Sequence, residues 1–339
     1  MSPARDIVVV AASAGGLQPL RSLLRGLPAD LPAALFVVLH VPATGGRTLP
    51  RILDRSGPLS AVSAVDGDPI RAGQVYVAPP DRHLLVTKDT VRLSRGPRQN
   101  GVRPAADPLF RSAALHAGPR VTAVVLSGAL DDAALGSATV ERLGGQVMAQ
   151  DPADCDYDSM PRNAISVTDH PIIVPASALA GEVIRLASVE RKMERPDAPE
   201  PDGELAAEIS GLLAGSPETD TRSRTYSDLT CPECGGPLYH FDGERAETYD
   251  CLVGHRWSPQ SLFEEQSASV ERALWLAIRS LEERGRLTGR LADEARQRGH
   301  ELSARQFAMA ADEAKGSADI LRQAANGMTA KVAAEPGEA

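Results

Sequence analysis

Residues 7–18 read Ile7-Val-Val-Val-Ala-Ala-Ser13-Ala-Gly15-Gly16-Leu-Gln18. The apolar run before the serine predicts a strand that is buried on both faces. The two glycines open a helical pattern that continues through Leu20, Leu23 and Leu24. Ser13 therefore lies where a strand ends and a helix begins, beside free N–H groups that favour negative charge. Functional sites of open α/β sheets form at this end of the strands.

The turn at Ser13 has two chemical interpretations. A serine at this place suits a nucleophile whose attack on a carbonyl creates an oxyanion, whereas glycine-rich turns after a first strand also hold the phosphates of dinucleotides. The pattern G-x-G-x-x-G is absent, because Ala11 and Ser13 stand in the wrong places. The acidic residue that binds a ribose about 20 residues further on is also missing, and the second apolar run ends in His40 instead. From the turn alone, a nucleophile and a structural or phosphate-binding turn both stay open.

Short apolar runs alternate with helical patterns from residue 5 to about residue 190. The runs are Ile7–Ala12, Ala34–Val41, Gln74–Ala78, Val121–Ser127, Gln146–Gln150 and Ile172–Pro175. Because they are apolar throughout rather than alternating, they predict strands that are covered on both faces. Leu84–Thr87 and Val91–Ser94 predict a hairpin attached to the same sheet. The predicted fold is therefore α/β, a doubly wound and mostly parallel sheet with helices on both faces.

Composition bounds the class of protein. The chain has 339 residues, of which 42% are hydrophobic and 24% charged, and its formal net charge is −9. This charge argues against a nucleic acid partner and against broad attraction to an anionic membrane. No apolar run approaches the roughly 20 residues of a membrane span, and no signal peptide is recognisable at the start. We therefore expect a cytoplasmic protein that does not insert into a membrane.

A serine hydroxyl needs a base that removes its proton and a group that orients this base. His40 ends the second predicted strand, and Asp132 follows a later one in the segment Ser127-Gly-Ala-Leu-Asp131-Asp132. Because parallel strands end at the same edge of a sheet, the three side chains can converge there. The order Ser, His, Asp and the absence of G-x-S-x-G exclude the ordinary α/β-hydrolase fold. Asp131 competes with Asp132 for the orienting role.

Several motifs in this order resemble the catalytic domain of CheB, the protein-glutamate methylesterase of bacterial chemotaxis. They include Ala-Ser13-Ala-Gly-Gly, Val-Leu-His40-Val-Pro, Val-Tyr-Val-Ala-Pro-Pro-Asp81, Arg103-Pro-Ala-Ala-Asp107, Leu-Ser-Gly-Ala-Leu-Asp-Asp132 and Ser159-Met-Pro161. The resemblance implies a triad of Ser13 as nucleophile, His40 as base and Asp132 as orienter. It implies an oxyanion hole formed by the backbone N–H groups of Ala14 and Ala129. It also implies hydrolysis of γ-glutamyl methyl esters, and in some members deamidation of glutamine, on methylated receptors or related signalling proteins.

The chain departs from the family pattern at three alanines. Ala11 and Ala133 stand where the family usually has glycine, and Ala129 stands where it commonly has methionine. These departures suggest an alternative, a signalling adaptor that keeps the methylesterase fold without turnover. Because the first strand begins at Ile7, we also expect a stand-alone enzyme without the receiver domain that regulates the founding members of the family.

Other polar residues of this region have structural interpretations. His83, His116 and His170 are expected on the surface or in loops, and Cys155 is expected to be inert. Arg103 and Asp107 are expected to form a structural pair where a loop meets a helix.

A cysteine–histidine cluster follows, with Cys231 and Cys234 as C-x-x-C and Cys251 and His255 as C-x-x-x-H. Three thiolates and one imidazole at this spacing predict a closed, tetrahedral and therefore structural zinc site. A redox C-x-x-C is disfavoured because no thioredoxin-like βαβ unit surrounds it. His240 is the rival ligand. The mixed charge around the cluster favours a protein-binding or scaffolding role over nucleic acid binding.

The predicted domains are a CheB-type catalytic domain (1–192), a flexible linker (193–228), a zinc-binding ribbon (229–260) and a helical hairpin (261–328). The linker is rich in Pro, Glu, Asp, Gly and Ser, with one weak helical patch around Leu205–Leu213. Apolar residues recur at helical spacing on both sides of Gly299, which predicts an antiparallel helical pair. Interleaved Arg and Glu are typical of solvated helix faces or of helices that oligomerise. We expect this C-terminal module to target or regulate the catalytic domain.

Overall fold

The computed structural model describes residues 5–40, 48–188, 203–215, 225–242 and 246–332. Its helices are α1 (Leu17–Gly26), α2 (Leu49–Asp54), α3 (Ala106–Ala117), α4 (Ala134–Arg142), α5 (Ser159–Ser166), α6 (Leu179–Ser188), α7 (Gly203–Ala214), α8 (Pro259–Gln297) and α9 (Glu301–Val332). Its strands are β1 (Ile7–Ala12), β2 (Ala34–Leu39), β3 (Ser60–Ser63), β4 (Gln74–Val77), β5 (His83–Val86), β6 (Val91–Ser94), β7 (Val121–Val125), β8 (Gln146–Gln150), β9 (Ile172–Val174), β10 (Thr225–Thr230), β11 (Pro237–Asp242), β12 (Glu247–Cys251) and β13 (Arg256–Trp257). The chain divides into two compact units, which meet between Leu262 and Phe263 in the sequence.

A seven-stranded sheet forms the centre of the first unit, in the order β3-β4-β2-β1-β7-β8-β9. Every pair of neighbouring strands in it is parallel, which confirms the predicted α/β class. The edge strand β3 has no counterpart in the prediction, because Ser60–Ser63 is short and only Ala61 in it is buried. β5 and β6 form the predicted hairpin, but as a separate two-stranded sheet.

Side chains on the two faces of the sheet belong to two apolar cores. Alternate residues of β1 point to opposite faces, with Val9 in one core and Val10 in the other. One core packs against α1, α2 and α6. The other packs against α3, α4, α5, α7 and the β5–β6 hairpin. Both faces of β1 are therefore covered, which is why its sequence is apolar throughout.

Helix α7 differs from the predicted flexible linker. Leu205, Ile209 and Leu212 recur at helical spacing and are buried in the core beside α3 and β6. Glu208 on the same helix forms an ion pair with the buried Arg111 of α3. An apolar stripe combined with a buried ion pair fixes the helix to the core of the seven-stranded sheet. Residues 193–202 and 216–224 of the predicted linker lie outside the described residues.

A small antiparallel sheet follows, in the order β10-β11-β12-β13. Its core contains Cys231, Leu238, Cys251, Trp257 and Leu262. Strands β11 and β12 pair in antiparallel fashion, with Leu238 opposite Cys251. The sheet begins at Thr225 rather than at the predicted boundary of 229.

The second unit contains the helical pair. The part of α8 from Phe263 onward and α9 approach closely where Gly285 faces Ala311 and Ala314. Gly299 adopts a left-handed φ of 77° between the helices, as the predicted break requires. The two helices are also joined by an ion pair between Arg322 and Glu282. Among the described residues, no helix is both long and apolar enough to cross a membrane. Oligomerisation through these helices stays a prediction.

Candidate active site

The carboxyl ends of three neighbouring strands, β2, β1 and β7, carry the predicted site. Strands β1 and β2 pair with Ala12 opposite Leu39, so Ser13 and His40 are the next residues along the two strands. The N–H of His40 donates to the carbonyl of Ala12 at 3.1 Å, and the N–H of Ser13 donates to the carbonyl of Ser127 at 3.1 Å. Ser13 is therefore held between His40 and the loop that follows β7.

Ser13, His40 and Asp132 form one chain of hydrogen bonds. The distance from Ser13 Oγ to His40 Nδ1 is 3.1 Å, and the distance from His40 Nε2 to Asp132 Oδ2 is 2.7 Å. An ionised carboxylate only accepts hydrogen bonds, so Nε2 carries the proton and Nδ1 accepts from the hydroxyl of Ser13. The Asp132 side chain is 3% exposed and the His40 side chain 16%. The structure thus brings the three predicted residues together, with Asp132 buried and with His40 and Ser13 partly exposed.

Asp132 is fixed by the amino end of α3. Its Oδ2 accepts from the N–H of Ala106 at 2.5 Å, and its Oδ1 accepts from the N–H of Asp107 at 3.1 Å. Burial alone would raise the pKa of Asp132, but the hydrogen bonds from His40 and from these N–H groups outweigh it and lower the pKa. The carboxylate is therefore ionised and rigidly placed, as an orienter of an imidazole must be.

Asp131 does not compete for His40. Its Oδ1 accepts from the hydroxyls of Ser258 and Ser261, each at 2.7 Å. Burial raises the pKa of Asp131, although these hydroxyls oppose the change. The neighbouring acids of the loop therefore face different partners, and the geometry selects Asp132 as the residue beside the histidine.

The two predicted oxyanion donors are Ala14 and Ala129. Within the described part of the chain, neither backbone N–H has a hydrogen-bond partner. Gly128 packs so closely that a Cβ there would lie 2.9 Å from Ser13 Cβ and 2.3 Å from Met160 Sδ. The loop after β7 can lie this near the serine only because residue 128 is glycine. The N–H group of Ala129 therefore belongs to a loop that packs directly against Ser13.

Comparison with known proteins places this geometry in a family. The profile of the CheB methylesterase family matches residues 8–183. The chain belongs to the CheB methylesterase family. It is 34% identical over 190 residues to a protein-glutamate methylesterase/protein-glutamine glutaminase of Methanosarcina mazei, covering 54% of this chain and 52% of that relative. The corresponding protein of Symbiobacterium thermophilum is 37% identical over 182 residues, covering 53% of this chain and 50% of the relative.

A solved structure agrees with this assignment. The catalytic domain of the CheB methylesterase of Thermotoga maritima is 32% identical, with a TM-score of 0.52. The match covers 55% of this chain and 100% of that domain. The chain therefore spans about half the length of the curated relatives it matches, and the shared half is the CheB domain.

Arg103 and Asp107 do not form the predicted pair in the CheB domain. Arg103 instead binds Asp81, with Nε 3.0 Å from Oδ1, and donates to the carbonyl of Gly96 at 2.8 Å. Asp107 Oδ1 accepts from the N–H of Gly136 at 2.7 Å and so caps α4. Burial and the neighbouring charge of Asp132 raise the pKa of Asp107 well above its ordinary value. The sequence motif placed both residues in one segment, but each bonds to a different element.

The prediction of a surface position is wrong for His83. This side chain is completely buried on β5, with Nε2 2.9 Å from the carbonyl of Pro97. Its Nδ1 accepts from the N–H of Ala105, directly before α3. Burial lowers the pKa of His83 to about 4, so the ring is neutral and supports the start of α3. His116 and His170 are exposed, as predicted.

Among the described residues, no histidine is hydrogen-bonded to Cys155. Its Sγ lies 3.3 Å from the carbonyl of Asp151, to which the thiol donates. Burial, and then the charges of nearby aspartates, raise the pKa of this thiol to about 11. The thiolate needed for nucleophilic chemistry is therefore scarce at neutral pH, in agreement with the predicted inert role.

The predicted metal ligands Cys231, Cys234, Cys251 and His255 converge, with all four ligand atoms within 4.8 Å of one another. The Nδ1 atom of His255 lies 3.7 Å from Cys231 Sγ and 3.5 Å from Cys251 Sγ, and the sulfurs of Cys234 and Cys251 are 3.7 Å apart. In a tetrahedral zinc site the Zn–S distance is about 2.3 Å and the Zn–N distance about 2.0 Å. These distances separate the ligand atoms from one another by roughly 3.5–3.8 Å. The donor set therefore fits a metal ion. His240 lies outside this group, with Nε2 3.8 Å from Glu247 Oε1.

Proposed function

We propose that this chain is a protein-glutamate methylesterase that hydrolyses γ-glutamyl methyl esters on methylated receptors or related signalling proteins. The hydrogen-bonded chain from Ser13 through His40 to Asp132 carries this proposal. Relatives with the same domain are named protein-glutamate methylesterase/protein-glutamine glutaminase. We extend that activity, including deamidation of glutamine, to this chain.

The first half of the reaction acylates Ser13. As Ser13 Oγ attacks the ester carbonyl, His40 Nδ1 takes the hydroxyl proton, and Asp132 stabilises the imidazolium through Nε2–H. The carbonyl oxygen becomes an oxyanion that accepts from the N–H groups of Ala14 and Ala129. His40 then returns its proton to the departing methoxy oxygen, and methanol leaves.

The second half of the reaction releases the product. A water molecule replaces methanol, gives one proton to His40 Nδ1 and attacks the acyl group on Ser13. Collapse of the second oxyanion breaks the bond to Ser13 Oγ, which recovers its proton from His40. The product is an unmodified glutamate side chain. With a glutamine substrate, ammonia leaves in place of methanol and the product is the same.

We propose zinc as the metal of the Cys231, Cys234, Cys251 and His255 cluster. Four protein ligands complete a tetrahedron and leave no position for a reacting water, so zinc would supply folding free energy to the small antiparallel sheet. Among the hydrogen bonds of the described residues, none joins these four ligands to Ser13 or His40. The hydrolytic chemistry is therefore assigned to the triad alone.

Methanol release from methylated receptor membranes tests the proposed activity. The full chain should release methanol, and Ser13→Ala should lower the rate about 10⁴- to 10⁶-fold, because the members of a triad act together. Ser280→Ala is the matched control, since the hydroxyl of this exposed serine donates, within the described part of the chain, to the carbonyl of Leu276 in its own helix. If the unmodified chain releases no more methanol than Ser13→Ala, the enzyme is excluded, and the non-catalytic adaptor with this fold is favoured.

A further inference from the structure

The loop that carries Asp132 contacts Ser258 and Ser261, which directly follow the small antiparallel sheet of β10–β13, here called the metal-binding sheet. The hydroxyls of Ser258 and Ser261 converge on the same oxygen of Asp131, each at 2.7 Å. The N–H of Ser261 donates to Ser258 Oγ at 3.1 Å, so the two serines also support each other. Asp131 is therefore held by the start of α8, one residue away from the acid that orients His40.

The conformation of this loop needs such support. Leu130 and Ala133, on either side of the two aspartates, have left-handed φ values of 64° and 87°. Such a conformation is strained for a residue other than glycine and persists only where surrounding contacts fix it. The side-chain amide of Asn163 adds a further contact, because it donates to the carbonyl of Leu130 at 3.0 Å and to Gln260 Oε1 at 2.9 Å. Asn163 of α5 therefore bridges the loop and the first turn of α8.

The place of Ser258 is in turn set by the metal-binding sheet. Ser258 is only three residues beyond the ligand His255. The carbonyl of Arg256 accepts from the N–H of Asn100 at 2.8 Å, and the N–H of Ser258 donates to Asn100 Oδ1 at 2.9 Å. Between them, Trp257 is 1% exposed and packs in the sheet's core beside two of the cysteine ligands. A change at the metal ligands therefore reaches Ser258 through a short, tightly packed segment.

We propose that Asp131 is a positioning residue, through which the metal-binding sheet holds Asp132 and the N–H of Ala129 in their working places. The inference rests on the proposed function of the triad and adds a role for the region outside the CheB domain. Asp131 contacts neither Ser13 nor His40 among the described side-chain hydrogen bonds, so it acts through the loop. Its loss should lower kcat, because small displacements of catalytic groups slow the reaction, and should leave KM nearly unchanged.

Steady-state methanol release by four variants of the full chain tests this role. Asp131→Ala and the double variant Ser258→Ala/Ser261→Ala should each lower kcat roughly 10- to 100-fold. Asp131→Asn should keep kcat within about threefold of the value for the unmodified chain, because an amide oxygen still accepts from both hydroxyls. Ser267→Ala is the matched control, since among the described residues its hydroxyl donates to the carbonyl of Phe263, within α8 itself. Equal kcat for Asp131→Ala and the unmodified chain would overturn the proposal.

A second experiment removes the metal and so tests the link between the metal site and Asp131. Chelation of the full chain, with metal content measured, should lower kcat by about the same factor as Asp131→Ala, and added Zn²⁺ should restore it. The two losses should not multiply in chelated Asp131→Ala, because they remove one coupling. A metal-free chain with undiminished kcat, or losses that multiply, would contradict the link between the metal site and Asp131.

Amide hydrogen exchange gives a readout that is independent of turnover. The N–H groups of Ala106 and Asp107, which donate to Asp132, should exchange faster in Asp131→Ala and after metal removal. The N–H of Ala34, which donates to the carbonyl of Asp6 at the amino ends of β1 and β2, should keep its rate. A uniform rise at all three positions would show general destabilisation and overturn the specific role. Failure of the unmodified chain to release methanol would instead reject the proposed function, while the exchange measurement still tests Asp131.

Discussion

Replacement of Asp132 by asparagine turns one of its two carboxylate oxygens into an amide nitrogen. The two oxygens together accept hydrogen bonds from three N–H groups. Oδ2 accepts from His40 Nε2 at 2.7 Å and from the N–H of Ala106 at 2.5 Å, while Oδ1 accepts from the N–H of Asp107 at 3.1 Å. An amide has one accepting oxygen and one donating nitrogen. In either orientation of the new side-chain amide, its nitrogen therefore meets at least one N–H donor.

The two orientations have different consequences. If the amide oxygen faces His40, the nitrogen meets the N–H of Asp107, and the unmade buried hydrogen bond costs about 1–3 kcal/mol of stability. If the nitrogen faces His40, Nε2 must accept, and the proton moves to Nδ1, where it blocks transfer from Ser13. A wrong tautomer of this kind lowers kcat about 10⁴-fold in a triad of the same roles. Both orientations also remove the negative charge that stabilises the imidazolium.

Methanol release and urea unfolding together measure these effects. Asp132→Asn should lower kcat about 10⁴-fold with little change in KM, and lower the free energy of unfolding by about 1–3 kcal/mol. Asp66→Asn is the matched control, because Asp66 also accepts from a backbone N–H and from a side chain, Leu93 and Arg92, but is exposed. A kcat for Asp132→Asn close to that of Asp66→Asn would refute the assignment of Asp132 as the orienter.

Three further predictions concern stability, each measured by chemical unfolding. Burial lowers the pKa of His83 to about 4 from 6.5, so the unfolded chain binds this proton more readily. The neutral, buried state of His83 contributes fully to the free energy of unfolding above about pH 6.5, and up to about 3 kcal/mol of it is lost as the pH falls towards 4. In His83→Gln the free energy of unfolding should fall less steeply over this pH range. An unchanged pH dependence in this variant would contradict the lowered pKa of His83. Ala133→Gly should raise the free energy of unfolding by about 1 kcal/mol, since residue 133 has a φ of 87°; a decrease would show that the conformation is not strained. Glu208→Gln should lower the free energy of unfolding by about 3–5 kcal/mol, because it leaves the buried Arg111 and Arg256 without their shared carboxylate; a loss below about 1 kcal/mol would show that the ion pairs add little.

The convergence of Ser13 and His40 could be predicted from the sequence for a physical reason. Parallel strands with uninterrupted apolar runs pair in register, and the first polar residues after two neighbouring runs then meet at one edge of the sheet. The cysteine–histidine cluster was predictable because short spacings restrict ligand geometry. In both cases, local pattern alone determines which side chains come together.

The partners of Asp131, His83 and α7 could not be predicted in the same way. Asp131 bonds to serines more than 120 residues away, and nothing in its own segment indicates them. His83 lies in an apolar strand, a signal for burial that its polar character obscured. The helix α7 has a short apolar stripe inside a segment of linker composition, and its stability comes from packing and from the Arg111 ion pair.

Covalent labelling of the full chain by a fluorophosphonate, followed by peptide mass spectrometry, tests most directly whether Ser13 is an activated nucleophile. We expect one adduct per chain on Ser13, much slower labelling of His40→Gln and Asp132→Asn, and the same rate for Ser280→Ala as for the unmodified chain. An unlabelled Ser13, or labelling at Ser13 that does not depend on His40, would contradict it.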